Sequence, residues 1–323
     1  MTDRSLEPTM VGAPAYQGEY RAGEHRGEAS RRAPGFLAAR LKRFSGGAGL
    51  WSAVPLCLLL LAGFFGPLLL VVLYSFMPRG SFSPIGWPTL ENYRDIVEQN
   101  FYISFGWSLA MAVVATILLL LVAYPLAVTM VRLAGKRADI YTILIAAPLF
   151  VAENIRLQGW SLFFDKAGLL DGASESLFGA GTGSLVGNVP IVVFGLVYVY
   201  LPFMLFPLIL GLTNVAPDAR EAASDLGATR FQIFRDIELP LASPGILIGT
   251  LLCFVLALGA VSEAKFLGKG VVIPVVQDID SAFTFGQNWP RGSALSVLLI
   301  LIAAAAVVVV MRRVDIDRMF TRR

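Results

Sequence analysis

The residues of this sequence that can do polar chemistry are few, and several sit inside apolar runs that ought to exclude them. Glu153 and Arg156 lie three apart within the stretch 139–164, with Asn154, Gln158 and Trp160 close by. Side chains three or four apart share one face of a helix, so these two charges are placed either to pair with each other or to meet a polar solute. An ionisable group within a membrane span costs roughly 2.5–3.5 kcal/mol on insertion scales and normally faces a cavity or a partner. Trp160 adds an aromatic face for stacking on a solute or for sitting at an interface. Glu263 and Lys265 form a second charged group at the end of the apolar stretch 240–262. Their alternatives are solute contact and a solvated turn at the membrane surface. Tyr198, Tyr200 and Met204 stripe the stretch 189–212, either lining a path or packing the bundle. All of this is binding chemistry.

Bond-breaking chemistry has no such footing. The single histidine, His25, falls in a polar N-terminal segment, and the two cysteines, Cys57 and Cys253, fall inside apolar runs without metal-ligand or disulfide spacing. No Ser/His or Cys/His pair and no paired intramembrane carboxylates present themselves. The phosphate-binding pattern G-x-x-x-x-G-K-[ST] is absent, and Gly268-Lys269 stands in the wrong context for it. No catalytic residue, metal or cofactor is therefore expected on this chain.

The elements that must position the polar residues are membrane spans. Of 323 residues, 56% are hydrophobic and 15% charged, and the mean hydropathy is +0.69. Soluble domains carry about 25% charged residues, so an ordinary cytosolic enzyme is excluded. A net charge of +3 gives no reason to expect a nucleic-acid partner. Six stretches reach the roughly 20 apolar residues that a bilayer core requires: 51–76, 105–131, 139–164, 189–212, 240–262 and 292–311. Residues 1–46 read as a disordered cytoplasmic tail, 47–104 as the first span with its periplasmic loop, 105–312 as the core transmembrane domain, and 313–323 as a short cytoplasmic tail. Between spans, 77–104 is expected to form an ordered cap around a short amphipathic stretch, and the Gly/Ser-rich 165–188 to be mobile.

Basic residues set the orientation. The N-terminal tail holds eight, the 132–138 loop three, the 213–239 loop three and the C-terminal segment five, which is nineteen of the 26. The opposite loops hold Arg79, Arg94, Lys166, Lys265, Lys269 and Arg291. Both termini are expected to be cytoplasmic.

The loop Thr213–Pro240 is too long and too patterned for a connector. Pro217 and Asp218 give a helix start, with proline and an acid in the first turn. Ala222, Ala223 and Leu226 make a small apolar face, and Gly227 breaks the helix. Thr229 can cap a second helix in which Phe231, Phe234 and Ile237 recur at spacings of three. Pro240 is expected to end the motif.

Glu221-Ala222-Ala223, Gly227 after three further residues, and Ile237-x-Leu239-Pro240 after nine more resemble the EAA motif. That motif belongs to the membrane subunits of bacterial binding-protein-dependent ABC importers. Leu196–Met204 and Asn288–Ser296 are similar to the polyamine-type permeases, as in the B-type subunit of spermidine/putrescine importers, and the likeness covers about residues 50–312. The resemblance implies an all-α integral membrane protein of the inner membrane: a six-span bundle of the type I ABC importer permease fold with a cytoplasmic coupling-helix loop. It implies a second permease, by resemblance a paralogue, an ATPase subunit dimer carrying ATP-Mg, and a periplasmic solute-binding protein. The coupling residues would be Glu221, Ala222, Ala223, Asp225, Gly227, Ile237, Leu239 and Pro240. The polyamine group carries acids in the segment matching Gly259–Gly268. Here Glu263 is an acid, while Lys265 and Ala260 stand where acids are common. A cation, a zwitterion and an organic anion are all open as the solute. An ion-driven secondary transporter leaves the EAA spacing unexplained.

Overall fold

The computed structural model describes residues 47–83, 86–132 and 138–313. The expected tails, 1–46 and 313–323 from residue 314 onward, lie outside the described residues, as does most of the 132–138 loop. The chain divides into two units, 1–62 and 63–323. In the first, the described residues 47–62 are the opening part of helix α1 (Gly47–Ser75).

The regular elements among the described residues of the second unit are all helices. It continues with α2 (Glu91–Glu98), α3 (Tyr102–Arg132), α4 (Ala138–Ala146), α5 (Glu153–Phe164), α6 (Leu169–Phe178), α7 (Val189–Thr213) and α8 (Pro217–Asp225). After these come α9 (Arg230–Ile233), α10 (Leu239–Leu258), α11 (Ser262–Gly268), α12 (Val275–Thr284) and α13 (Trp289–Arg313). Five segments are long and apolar enough to cross a bilayer: Val54–Ser75, Tyr102–Arg132, Val189–Thr213, Arg230–Leu258 and Trp289–Arg312.

The third of the six apolar stretches is bent. Ile140–Phe150 and Glu153–Phe178 meet at 92° instead of running straight through 139–164. A 3-10 turn over Ala147–Phe150 contains Pro148 and is followed by extended backbone at Val151 and Ala152. Proline removes a backbone donor and clashes with the preceding turn. Glu153 then opens a new helix, with its acid in the first turn. Pro125, Pro202, Pro207 and Pro244 stay inside their helices, as is tolerated where neighbouring spans satisfy the freed carbonyls.

The core forms where α3, α7 and α10 meet. Ala112, Ala115, Leu119, Ala123 and Ala127 are all fully covered and recur at spacings of three and four, which puts them on one face of α3. Leu196, Val199, Met204, Leu205 and Leu208 of α7 pack into the same cluster. Small residues let span backbones approach closely, the main source of helix association in lipid. At Gly211 a Cβ would stand 2.9 Å from the Gly245 Cα, so the α7–α10 crossing depends on both glycines.

The end opposite α8 is capped in two places. Asn92 Nδ2 donates to the carbonyls of Ser75 (3.1 Å) and Met77 (2.7 Å), and Tyr93 Oη donates to Ser75 Oγ at 2.9 Å. Arg79 pairs with Asp95, and Ile96 is buried against Val275, Ala294 and Leu295. This is the ordered cap expected for 77–104. The segment 165–188, expected to be mobile, instead carries α6 and two carboxylate-held turns. Asp171 accepts from the amides of Ala167 (2.9 Å) and Gly183 (2.7 Å), while Asp165 accepts from Ser184 (2.9 Å) and Lys269 (2.8 Å). Composition missed this because the Gly/Ser run supplies the turns around those two acids.

Candidate functional site

Three elements converge on one carboxylate. Glu263, in the first turn of α11, is fully buried and makes no ion pair among the described residues, with the Tyr200 hydroxyl beside it. Tyr200 of α7 and Glu153 and Arg156 of α5 are the polar and charged groups close enough to act on it. Leaving a carboxylate buried and unpaired is expensive, so the local packing must hold it there. Gly195 does part of this: a Cβ at that position would lie 3.6 Å from Glu263 Cγ and 2.5 Å from Leu267 Cδ1, so glycine is what lets α11 lie against α7.

An aromatic wall adjoins the carboxylate. Trp160 of α5 contacts Phe194 at 4.9 Å and Tyr198 at 5.5 Å edge-on, and stacks on Phe164 at 5.5 Å between ring centroids. Arg156 does not pair with Glu153. Its guanidinium sits 5.6 Å above the Tyr198 ring, with Nε and Nη1 unpartnered. Tyr200 is itself buried, and its carbonyl accepts from Cys253 Sγ at 3.7 Å. Arg156 thus links two groups: Trp160 and Tyr198 on one side, and Glu153, Tyr200 and Glu263 on the other.

Two of the sequence candidates lie elsewhere. Asn154 is exposed on the other side of α5. Lys265 is exposed and pairs with Asp280 of α12 at 2.6 Å. Residues two apart on a helix point to different faces, so Glu263 turns inward while Lys265 turns out. Lys265 holds the Asp280 carboxyl below the usual range. Lys269 and Ser184 hold that of Asp165 down to about 2.

The 213–239 loop forms the second assembly. Helix α8 begins with Pro217 and Asp218 and ends at Gly227, whose φ of +82° lies in the left-handed region. There the Gly227 amide donates to the Ser224 carbonyl (2.9 Å) and the Ala228 amide to Ala223 (3.0 Å), a Schellman closure. Thr229 and Gln232 form a reciprocal capping box for α9. Pro240 does not end the motif. From α9 the helix widens into a π turn over Phe234–Glu238 and runs on into α10, and the wider turn accommodates the proline ring. Glu221, Ala222 and Asp225 are exposed, as are Leu226 at 89% and Phe231 at 68%, while Ala223 and Ile237 are half-buried.

The sequence reading missed the residues that fasten this loop. Glu238, the unspecified position between Ile237 and Leu239, is buried and pairs with Arg132 at the end of α3 and with Arg220 of α8. Phe234 contacts Tyr124 of α3 at 5.6 Å. A carboxylate abutting an apolar run was the available signal.

Residues 100–319 match the family described as binding-protein-dependent transport system inner membrane component. The chain belongs to that family. It is a membrane-spanning permease of an ABC importer. The permease is 36% identical over 234 residues to the spermidine/putrescine transport system permease protein PotB of Haemophilus influenzae, covering 72% of this chain and 82% of the relative. The Escherichia coli PotB is 32% identical over 244 residues, covering 73% and 86%. In fold it is similar to a bacterial ABC transporter involved in the import of the acidic polysaccharide alginate, with a TM-score of 0.63 and 16% identity over 88% of this chain and 99% of that one. Relatives and fold agree with the all-α, multi-span architecture expected from the sequence.

Proposed function

We propose that this permease carries a small organic cation of the polyamine kind, and that Glu263 is its charge partner in the membrane. The observation that carries this reading is a fully buried carboxylate with no ion-pair partner among the described residues, near an aromatic wall. An amine supplies what that carboxylate lacks, a paired positive charge, and aromatic faces favour cations. The names of the PotB relatives support the same class. Tyr200, Glu153 and Arg156 would orient the solute. Asn154 and Lys265 would meet it only in another state of the transport cycle.

In the same reading both termini are cytoplasmic and α8 lies on the cytoplasmic face, following the excess of basic residues on that side. Exposed Leu226 and Phe231, with Glu221, Ala222 and Asp225, would dock an ATPase subunit. That separate polypeptide would bind ATP-Mg and hydrolyse it, and this chain would carry no cofactor. A paralogous permease would complete the path, and a periplasmic binding protein would deliver solute at the end capped by α2, α6 and α12.

The test is uptake by the whole reconstituted importer, loaded in turn with radiolabelled putrescine, spermidine, 2-aminoethylphosphonate and an alginate oligosaccharide. ATP-dependent uptake of the amines supports the reading. Uptake of the phosphonate or the oligosaccharide without the amines overturns it.

A further inference from the structure

The polar groups at the α8 end of the bundle form a connection that neither the EAA spacing nor the solute site accounts for. Glu238 is 5% exposed, yet it belongs to the same loop whose Leu226 and Phe231 stand almost free. Its carboxylate pairs with Arg132 on α3 and lies 3.4 Å from Arg220 on α8. Arg220 is further anchored by donating from Nη2 to the Val215 carbonyl at 3.3 Å, two residues past the end of α7. Phe234, one turn before Glu238, leans on Tyr124, two turns before Arg132.

Along the backbone, α8 is separated from α10 by the reversal at Gly227 and by the π turn. Both are soft places: a glycine in the left-handed region closes α8, and a π turn carries an imperfect hydrogen-bond ladder. A push on α8 transmitted by the chain alone would be absorbed there. The side chains bypass both. Through Arg220, Glu238 and Arg132, helix α8 is tied to the root of α10 and to the inner end of α3, two of the three helices that build the core.

We propose that Glu238 is a positioning residue for coupling: it holds α8, α10 and α3 together as one lever, so that movement imposed on α8 reaches the spans. Its carboxylate touches neither solute nor nucleotide. The inference rests on reading α8 as the ATPase-docking helix.

The test uses the complete importer with its ATPase subunits and binding protein in vesicles. Three quantities are read together: ATPase retained on purification, ATP hydrolysed, and putrescine taken up per ATP. Glu238→Gln keeps the shape and removes the charge. It is expected to retain the ATPase and its hydrolysis while uptake per ATP falls about tenfold, and Arg220→Gln should do the same. Unchanged uptake per ATP in Glu238→Gln, with the ATPase still bound, overturns the lever and leaves the docking reading standing. Loss of docking reads separately, as failure of the wild-type permease to retain the ATPase.

A second arm remains informative if the glutamine variant does not accumulate. In a Cys57→Ser/Cys253→Ala background, Arg220→Cys with Glu238→Cys is bridged by a short, reducible bis-methanethiosulfonate. The bridged protein is expected to transport and the reduced protein to be uncoupled. Equal uptake in both states, or lower uptake when bridged, overturns the proposal.

Discussion

Gly195 and Glu263 lie 68 positions apart in sequence, and a Cβ on the first would stand 3.6 Å from Cγ of the second. The missing side chain on α7 is the space in which α11 carries its carboxylate into the protein. Gly195→Ala meets first the tip of Leu267, a flexible side chain, and is expected to lower uptake modestly. Gly195→Val fills the space and is expected to lower it about tenfold. Membrane levels of both variants should equal wild type, as checked by quantitative immunoblotting beside the uptake assay.

Leu226 and Phe231 are exposed at 89% and 68% on a loop otherwise fastened to the bundle. In the proposed function these two side chains belong to the surface that docks the ATPase. Leu226→Asp and Phe231→Asp are expected to release the ATPase during affinity purification without reducing the amount of permease in the membrane. Retention of the ATPase by the double variant would contradict the assigned surface.

Gly227 closes α8 at a φ of +82°. A side chain in that conformation costs about 1–2 kcal/mol, so Gly227→Ala should loosen the Schellman closure, and Gly227→Pro should abolish it by also removing the donor amide. Uptake is expected to fall in that order. Proteolysis between α8 and α9 should quicken in the same order in membranes opened to protease.

Asp165 is held down to about 2 by Lys269 and Ser184. A depressed carboxyl contributes stability that is complete above its unfolded value of about 4 and is lost as pH falls toward the folded value. The tie between the α6 segment and α11 should therefore be as strong at about pH 5 as at about pH 7, and weaken only on stronger acidification. Hydrogen exchange over 165–184 checks this. Lys269→Gln should speed exchange already at neutral pH.

Much of the 213–239 loop was legible because its signals are local: Pro217 and Asp218 start α8, Gly227 stops it, and Thr229 caps α9. The break in the third stretch was not. Pro148 breaks its helix while Pro125 and Pro202 do not, and the difference lies in neighbours that a linear sequence does not display. The polar cluster around Glu263 was half legible. Glu153, Arg156, Tyr198, Tyr200 and Glu263 stood out as polar groups in apolar surroundings, but the Arg156 contact with Tyr198 in place of Glu153 is tertiary. Lys265 was separable from Glu263 by helical spacing alone, once 262–268 is read as a helix. Glu238 escaped notice because its partners, Arg132 and Arg220, come from two other helices.

In the proposed function the buried carboxylate of Glu263 receives the solute. The most direct measurement is putrescine uptake and ATP hydrolysis in the same vesicles, for wild type and Glu263→Gln. Hydrolysis should persist in the variant, while the putrescine KM rises or uptake falls by about tenfold. Uptake by Glu263→Gln with wild-type kinetics would contradict the account.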